Sequence, residues 1–420
     1  MIQLPVDFAD LMRQHYGTVT ADALCEALTS TAPEVSVRIN SRKVASVPVH
    51  ALSCQDSLFS NPVPWCKDAY YLTTRPPFTF DPMLHAGAYY VQEASSMYVA
   101  TLLEKYFLDT SSTKDDCPPV ALDLCAAPGG KSTLLAGILP AGSLVVCNEP
   151  IARRAQILAE NVQKWAMPAI GRCEAPWQRE YPVKSIVTNN YPADFGAFTG
   201  CFDLLVADVP CSGEGMFRKD RQAIDEWSID NVIMCAERQR SILQDIWHVL
   251  KPGGLLVYST CTFNRFEDDD NAMWICEQLG GELMEQRHFL PGRDRGEGFY
   301  CCAIRKDKPH PSTEEKHTQQ EIRITDMIGK VRNTLRVIPQ AFMLEGPPVE
   351  LNYEEALQYL RREAIRVPAE RGMVTLCYKG LPLGPGKCVG SRINNLYPEQ
   401  WRIRSTYTQK WSLFDIDIIK

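Results

Sequence analysis

Two cysteines stand at positions where a thiol could do chemistry. Cys211 follows the apolar run 202–207, and Cys261 follows the apolar run 255–259. Runs of this kind predict buried parallel strands, and the carboxyl ends of parallel strands open into the ligand crevice of a doubly wound sheet. We therefore expect both thiols to face one cleft.

A glycine-rich turn lies between a predicted strand at 120–124 and a predicted helix at 134–139. Glycines at such a turn let the backbone approach a ligand, which the amides at the start of the helix would face. We expect a nucleotide-like cofactor to bind there. The predicted contacts are Cys125, Ala126, Ala127, Pro128, Gly129, Gly130 and Lys131. The turn also resembles the end of a phosphate-binding P-loop, but that motif needs glycine at position 125, so an ATPase is a weak alternative.

Two charged residues near this turn are candidates for the same site. Glu149 lies about 20 residues beyond the turn, at the end of the next predicted strand, where an acidic side chain accepts hydrogen bonds from ribose hydroxyls. An ordinary carboxylate at a helix start is the alternative for that position. Lys131 falls in the first turn of the predicted helix, where a cation is unfavourable for the helix itself, so we expect it to serve the site.

The two cysteines suit the methylation of a pyrimidine at carbon 5. That carbon is nearly unreactive until a thiolate adds at carbon 6 and turns the ring into an enamine nucleophile. A free thiol with a pKa of about 8.5 needs a nearby proton acceptor or positive charge, which Lys131 and helix amino termini could supply. Asp208 lies just before Cys211 and could bind the base edge that distinguishes cytosine from uracil. Either cysteine alone is better explained as a buried residue, but the pair with Asp208 favours catalysis.

The composition limits where and how the chain works. Its 420 residues suggest roughly two to four domains of ordinary size. The apolar runs are far shorter than the roughly 20 residues of a membrane span, and the first residues lack the pattern of a signal peptide, so we expect a cytosolic protein. Its 16 cysteines include no C-x-x-C pair, which fits neither a disulfide framework nor a zinc site, and we expect no metal.

The net charge of -7 restricts nucleic-acid binding to local patches. Residues 361–420 form one such patch, with 11 Lys or Arg against 5 Asp or Glu. Taken alone, this excess is explained equally well by a solvated surface and by a contact with RNA.

The pattern along the chain predicts an α/β fold with flanking modules. Short apolar patterns broken by prolines predict a small separate module over residues 1–84. Helical spacing follows over 89–107, and strands and helices then alternate in the manner of a doubly wound, Rossmann-like sheet. Strands are predicted at 120–124, 144–147, 185–188, 202–207 and 255–259, and helices at 134–139, 151–164 and 229–250.

The last part of the chain is predicted to form a separate region. Polar and charged residues at 305–322 bury nothing and predict a linker, which leaves 85–304 as the central domain. Beyond the linker, 323–420 is predicted to contain a helix at 353–366 and a small β-rich barrel at 372–419.

Together these motifs resemble those of the Nop/Sun family of RNA cytosine carbon-5 methyltransferases, and most of all its bacterial ribosomal RNA branch. The similarity covers nearly the whole chain. It rests on residues 36–40, 90–97, 125–131, 208–219, 250–254 and 258–263, with 380–384 and 392–398 nearer the C-terminus. The resemblance implies a Rossmann-like methyltransferase domain that uses S-adenosylmethionine, an N-terminal RNA-binding module and a C-terminal PUA-like β-barrel that binds RNA.

The resemblance also implies roles for the candidate residues. Cys261 would be the nucleophile that attacks carbon 6, and Cys211 would assist release of the methylated product. A single cysteine after the proline would instead resemble the DNA cytosine enzymes, so the second cysteine favours RNA. The implied partner is structured RNA, most of all ribosomal RNA, with transfer RNA as the alternative. We also expect a monomer. The cofactor contacts would be the 125–131 loop, Glu149, Asn190, Tyr191 and Asp208.

One position departs from the family pattern. After Asn190 the family commonly has an aspartate that holds the adenine amino group, and this chain has Tyr191. Asn190, Asp194 or the ring of Tyr191 would have to make that contact. We therefore predict weaker S-adenosylmethionine binding than in relatives.

Two alternatives of other classes are weaker. Many nucleic-acid amino-methyltransferases place an aromatic ring on the target base where Cys211 stands in this chain, so that reaction is disfavoured. A non-catalytic RNA-binding assembly factor would retain the fold while Tyr191 spoils cofactor binding. The intact Cys211, Cys261, Asp208 and glycine loop argue against it.

Overall fold

The structure is a computed structural model. Most of the predicted linker and the end of the predicted C-terminal barrel lie outside the residues that it describes. Those residues are 3–44, 61–108, 118–167, 182–308, 323–406, 410, 411 and 413.

The chain begins with a helical hairpin followed by a small antiparallel sheet. Its elements are α1 (Val6–Tyr16), α2 (Thr18–Ser30), β1 (Val35–Ile39), β2 (Ala69–Leu72), α3 (Pro82–His85) and β3 (Tyr89–Val91). The sheet has the order β2-β1-β3. Strand β3 therefore lies beyond the predicted boundary at residue 84, and the prediction of a helix from residue 89 is wrong for its first residues. Pairing with β1 decides the structure there, because aromatic and β-branched residues suit a strand that has a partner.

The central domain is built on a seven-stranded sheet of order β6-β5-β4-β7-β8-β10-β9. The first five strands in that order are parallel, and β10 pairs antiparallel with both β8 and β9. All five strands predicted from the sequence are present, as buried apolar runs require. The bounds are β4 (Val120–Asp123), β5 (Leu144–Asn148), β6 (Lys184–Thr188), β7 (Phe202–Asp208), β8 (Leu250–Thr260), β9 (Gly281–Phe289) and β10 (Phe299–Lys306).

The strand order reverses next to β4. The chain adds β5 and β6 on one side of β4 and then returns to add β7 and β8 on the other. In open α/β sheets, ligands bind outside the carboxyl ends of the strands at such a reversal. The carboxyl ends of β4, β5, β7 and β8 are therefore the expected edge for the site.

Helices cover both faces of this sheet. Helices α4, α5 and α6 contribute to the core on one face, and α8 and α9 contribute to the core on the other. The predicted helix at 229–250 ends earlier, at Ile246, because Leu250 already pairs with Phe202 at the start of β8. In the described part of the chain, no helix combines the length and the apolar composition needed to cross a membrane. The bounds are α4 (Val99–Leu103), α5 (Gly130–Ile138), α6 (Ala152–Ala166), α7 (Arg221–Asp225), α8 (Ile229–Ile246) and α9 (Asp269–Trp274).

The segment after the central sheet differs from the prediction at both of its ends. Arg305 and Lys306 belong to β10, so the predicted linker 305–322 begins too early. Helix α10 (Ile324–Thr334) buries Met327 and Val331 in the same core as α8, because its apolar residues lie on one face. This helix therefore packs with the central domain, although it was predicted as part of the C-terminal region.

The C-terminal domain contains a four-stranded sheet of order β11-β12-β13-β14 and one helix. Its elements are β11 (Pro348–Glu350), α11 (Tyr353–Leu360), β12 (Gly372–Tyr378), β13 (Leu381–Cys388) and β14 (Ile393–Asn395). The predicted helix at 353–366 ends at Leu360, because Arg362 has a positive φ of 64° and Ile365 bridges to Ile393. This domain shares a core with the N-terminal sheet, and Tyr353 Oη donates to the Phe80 carbonyl at 2.9 Å.

Candidate active site

The two thiols meet at the carboxyl ends of neighbouring strands. Asp208 at the end of β7 lies opposite Ser259 of β8, so the chain leaves both strands at the same edge. The Sγ atoms of Cys211 and Cys261 are 3.2 Å apart. The Gly215 N–H donates to the Cys261 carbonyl at 2.8 Å and links the two segments again. The two thiols therefore lie together, and that they face one cleft stays a prediction.

The surroundings distinguish Cys211 from an ordinary thiol. Its pKa is raised, first by the hydrogen bond with Cys261 and second by burial. The Cys211 thiol is therefore protonated at neutral pH, and it lies in hydrogen-bond contact with the sulfur of Cys261. Burial likewise raises the pKa of Cys125 in the glycine loop, which makes that thiol a poor nucleophile.

Lys131 and Asp208 form an ion pair beside the thiols. Lys131 Nζ lies 2.8 Å from Asp208 Oδ2, and the lysine side chain is 10% exposed against 37% for the aspartate. Ser259 Oγ donates to Asp208 Oδ1 at 2.7 Å. Burial lowers the pKa of Lys131, but the charge and hydrogen bond of Asp208 outweigh it and the net pKa is raised. The lysine is therefore a fixed positive charge at this edge of the sheet.

The glycine loop is held from behind by α6. The carbonyls of Ala127 and Pro128 accept hydrogen bonds from Arg154 Nη2 at 3.0 Å and from Asn161 Nδ2 at 2.8 Å. Gly129 has a φ of +117°, which only glycine adopts without strain.

Glycine suits position 130 for a different reason from the predicted one. A Cβ there would lie 3.3 Å from Gln92 Cδ, so Gln92 takes part of the space that the sequence assigned to a ligand.

Two carboxylates at this edge have oxygens without hydrogen-bond partners. Asp123 is fully buried, its Oδ2 accepts from Ser132 Oγ at 2.6 Å, and its Oδ1 has no hydrogen-bond partner among the described residues. Glu149 is 1% exposed, and its Oε1 accepts the Ile151 N–H at 3.0 Å. Its Oε2 likewise has no described hydrogen-bond partner, with the Arg154 guanidinium 3.7 Å away.

An unsatisfied buried acceptor is costly, so both carboxylates fit a ligand that brings hydrogen-bond donors. Sequence reasoning did not select Asp123 as a site residue. The available signal was its position at the end of β4, which matches that of Glu149 just after β5.

Asn190 and Tyr191 follow β6 at the same edge. Asn190 is held at both ends of its amide, with Nδ2 3.3 Å from Asp194 Oδ2 and Oδ1 accepting the Arg336 N–H at 2.9 Å. The backbone N–H of Tyr191 also donates to Asp194 Oδ2, at 2.8 Å, while the tyrosine side chain is 68% exposed. Tyr191 therefore offers an accessible ring, whereas the Asn190 amide is already engaged.

Family models match three parts of the chain. Residues 112–305 match the 16S rRNA methyltransferase RsmB/F model, residues 4–94 match the N-terminal domain of 16S rRNA methyltransferase RsmF, and residues 347–403 match the methyltransferase RsmF PUA domain. These matches confirm the resemblance and the three-part architecture that the sequence predicts.

Several relatives share the name ribosomal RNA small subunit methyltransferase F. The protein of Shewanella oneidensis is 27% identical, over 86% of this chain and 90% of its own length. That of Aliivibrio fischeri is also 27% identical, over 87% and 90%. That of Shewanella baltica is 33% identical, over 66% of this chain and 54% of its own length.

Solved structures from Pyrococcus horikoshii are similar in fold. A methyltransferase homolog protein has 24% identity and a TM-score of 0.54, over 72% of this chain and 100% of its own. NSun6 with SFG has 16% identity and a TM-score of 0.55, over 73% and 99%. At these identities the likeness shows the shared fold alone.

The residues present fit a bound methyl donor. One oxygen of Asp123 and one of Glu149, each without a hydrogen-bond partner among the described residues, lie at the edge where the strand order reverses, and they can accept hydrogen bonds from the amino and hydroxyl groups of S-adenosylmethionine. S-adenosylmethionine is the cofactor, as the sequence predicts. With matches in its N-terminal, central and C-terminal domains, the chain belongs to the 16S rRNA methyltransferase RsmB/F family.

Proposed function

We propose that this protein methylates carbon 5 of a cytosine in small-subunit ribosomal RNA through a covalent adduct on Cys261. The observation that carries the proposal is the 3.2 Å contact between the sulfurs of Cys211 and Cys261, next to the Lys131–Asp208 pair. Carbon 5 of a pyrimidine needs a thiol nucleophile at carbon 6 before it can accept a methyl group. Relatives named ribosomal RNA small subunit methyltransferases supply the substrate class.

Each sulfur has its own part in the proposed reaction. Cys261 adds to carbon 6, and the new bond makes carbon 5 nucleophilic. Bound S-adenosylmethionine would supply the methyl group that carbon 5 accepts and would leave as the neutral thioether S-adenosylhomocysteine. Water, acting as the base, then takes the carbon-5 proton, the electron pair of that C–H bond re-forms the double bond between carbons 5 and 6, and the electron pair of the bond between sulfur and carbon 6 leaves with the Cys261 sulfur. Cys211 touches the Cys261 sulfur and, as the protonated thiol, is placed to give it a proton as it leaves.

Asp208 is proposed to recognise the base. Its two oxygens contact Ser259 and Lys131, and each carboxylate oxygen can accept a second hydrogen bond. Cytosine presents an amino group at the edge where uracil presents an oxygen, so an acceptor in this place selects cytosine. A base in a paired region would have to be extruded to reach this site, because stacking encloses carbon 6.

The remaining assignments of the site and its partners are also proposals. The 125–131 loop, Glu149 and Asp208 are proposed to contact S-adenosylmethionine, with Asn190 or Tyr191 at the adenine, and we add Asp123 because of its unpartnered oxygen. The flanking domains are proposed to bind RNA. A monomeric state, a cytosolic location and the division of the chain into domains remain predictions.

The test compares the wild type with Cys211→Ala. Each is incubated with S-adenosylmethionine and total RNA from a strain that lacks the enzyme, followed by denaturing electrophoresis and bisulfite sequencing. We expect a new methylcytosine with the wild type and a slowly migrating RNA adduct with Cys211→Ala. The adduct should disappear when Cys261 is also replaced. Neither adduct nor methylation, with RNA still bound, would refute the proposal and favour an assembly factor.

A further inference from the structure

Two buried glutamates connect the segments that carry the thiols, and each one crosses to the other segment. Glu267 follows Cys261 in the sequence, and its Oε2 accepts the backbone N–H of Ser212, the residue after Cys211, at 3.1 Å. Glu214 follows Cys211 and makes the reverse connection. Both glutamates are 0% exposed.

Glu214 binds the backbone just beyond Cys261. Its Oε2 accepts the N–H groups of Phe263 at 2.6 Å and of Asn264 at 3.1 Å. Its Oε1 accepts from the Asn264 side chain and from Trp227 Nε1, both at 3.0 Å. Four donors thus converge on one carboxylate and fix the chain two and three residues after Cys261.

Glu267 is linked to the residues on both sides of Cys211. It binds the Ser212 N–H directly, and its Oε2 also accepts from Gln239 Nε2 at 2.6 Å. The same Gln239 nitrogen donates to the Pro210 carbonyl at 3.0 Å. The residue before Cys211 and the residue after it are therefore tied to one carboxylate.

Stability of the fold alone does not explain this arrangement. Buried carboxylates are costly, and apolar residues of similar size often stabilise a protein as well or better. Burial first, and then the charge of Glu267, raise the pKa of Glu214 to about 7, which reflects that cost. The described donors to both carboxylates are neutral N–H groups, so what the two carboxylates provide is a fixed geometry of the thiol segments.

We propose that Glu214 and Glu267 are positioning residues that hold the sulfurs of Cys211 and Cys261 in contact. Because each glutamate belongs to one segment and binds the backbone of the other, the two segments are fixed relative to each other. The catalytic consequence rests on the proposed function. Glu267 supports the release step through Cys211, and Glu214 supports adduct formation through Cys261.

The first test measures the contact between the sulfurs without RNA. Diamide oxidises a pair of neighbouring thiols to a disulfide, and peptide mapping by mass spectrometry follows the Cys211–Cys261 crosslink in the full chain. In Glu267→Gln, the new amide nitrogen cannot accept a hydrogen bond, so the side chain loses either the Asn264 donor at Oε1 or the Ser212 and Gln239 donors at Oε2. We expect the crosslink to form about tenfold more slowly than in the wild type.

The matched control is Glu285→Gln. Glu285 lies on the edge strand β9, away from the thiols, and accepts three hydrogen bonds from side chains, so its variant should crosslink at the wild-type rate. If Glu267→Gln does not fold, Glu267→Asp keeps the charge but withdraws it by one methylene, and the same slowing is expected.

The second test separates positioning from general loosening by following the steps of the reaction. In single turnover, Glu267→Gln should accumulate the RNA adduct because release slows, whereas Glu214→Gln should form the adduct more slowly. An equal fall in both steps, or wild-type crosslinking in Glu267→Gln, would overturn the proposal. Slower crosslinking in the variant together with no methylation by the wild type would refute the proposed function and leave the positioning role standing.

Discussion

Replacing Asp123 by asparagine should change stability and cofactor binding in opposite directions. Asp123 is fully buried at the end of β4, with Oδ2 bound to Ser132 and Oδ1 without a described hydrogen-bond partner. Burial, as the largest cause, raises its pKa from 3.8 to about 7. Above that pH the protein without cofactor therefore carries a charge that is poorly solvated.

The size of the effect on stability follows from this pKa. A carboxyl group whose pKa is raised in the folded state stabilises the fold less as the pH rises from 3.8 towards 7. Between pH 5 and pH 8 the loss amounts to roughly 2 to 3 kcal/mol. Asparagine does not titrate, so the unfolding free energy of Asp123→Asn relative to the wild type should rise by this amount over the same interval.

Urea unfolding at pH 5 and pH 8 measures this difference, and the comparison cancels any constant cost of the new amide. Titration calorimetry gives the second half of the prediction. Loss of a charged acceptor should raise the dissociation constant for S-adenosylmethionine by roughly tenfold or more at pH 8. Wild-type binding should tighten as the pH rises through about 7. A stability difference that is the same at both pH values would show that Asp123 does not titrate in this range and would refute the reasoning.

Three further substitutions test other contacts. Arg38→Lys should weaken S-adenosylmethionine binding by roughly tenfold in calorimetry. The reason is that lysine cannot reproduce the two hydrogen bonds that the Arg38 guanidinium donates to Thr133 in the first turn of α5. An unchanged affinity would contradict this. Tyr191→Asp should tighten that binding by supplying the carboxylate that the family commonly has, and an unchanged dissociation constant would count against it. Phe8→Ala should lower the free energy of unfolding by about 3 to 5 kcal/mol in urea, because the buried ring packs against Phe263; a loss below about 1 kcal/mol would show that this contact is not tight.

The edge of the sheet that carries the site could be predicted because parallel strands leave little freedom. A buried apolar run identifies each strand, and all carboxyl ends of parallel strands lie on one side. That reasoning brings Cys211 and Cys261 together, whereas the ion pair between Lys131 and Asp208 is seen only in the structure. The prediction depends only on the residue at which each apolar run ends.

Other features depend on partners that are distant in sequence. Tyr89–Val91 has a helical apolar spacing but becomes a strand because β1 is available to pair with it. The pattern of α10 shows one apolar face without showing that the central domain covers it. Glu214 and Glu267 are ordinary charged residues in sequence, and their burial between the thiol segments emerges only when β7 and β8 are side by side.

The N-terminal hairpin shows most clearly why a local pattern does not assign a role. Residues 1–84 were predicted as a separate RNA-binding module, yet the Phe8 ring lies 5.2 Å from that of Phe217 and 6.3 Å from that of Phe263. Tyr16 Oη also donates to the Phe263 carbonyl, 247 positions away in the sequence. Phe217 and Phe263 stand in the segments that follow the two thiols. The hairpin is therefore part of the scaffold that holds both cysteine segments, which no local pattern in residues 1–84 indicates.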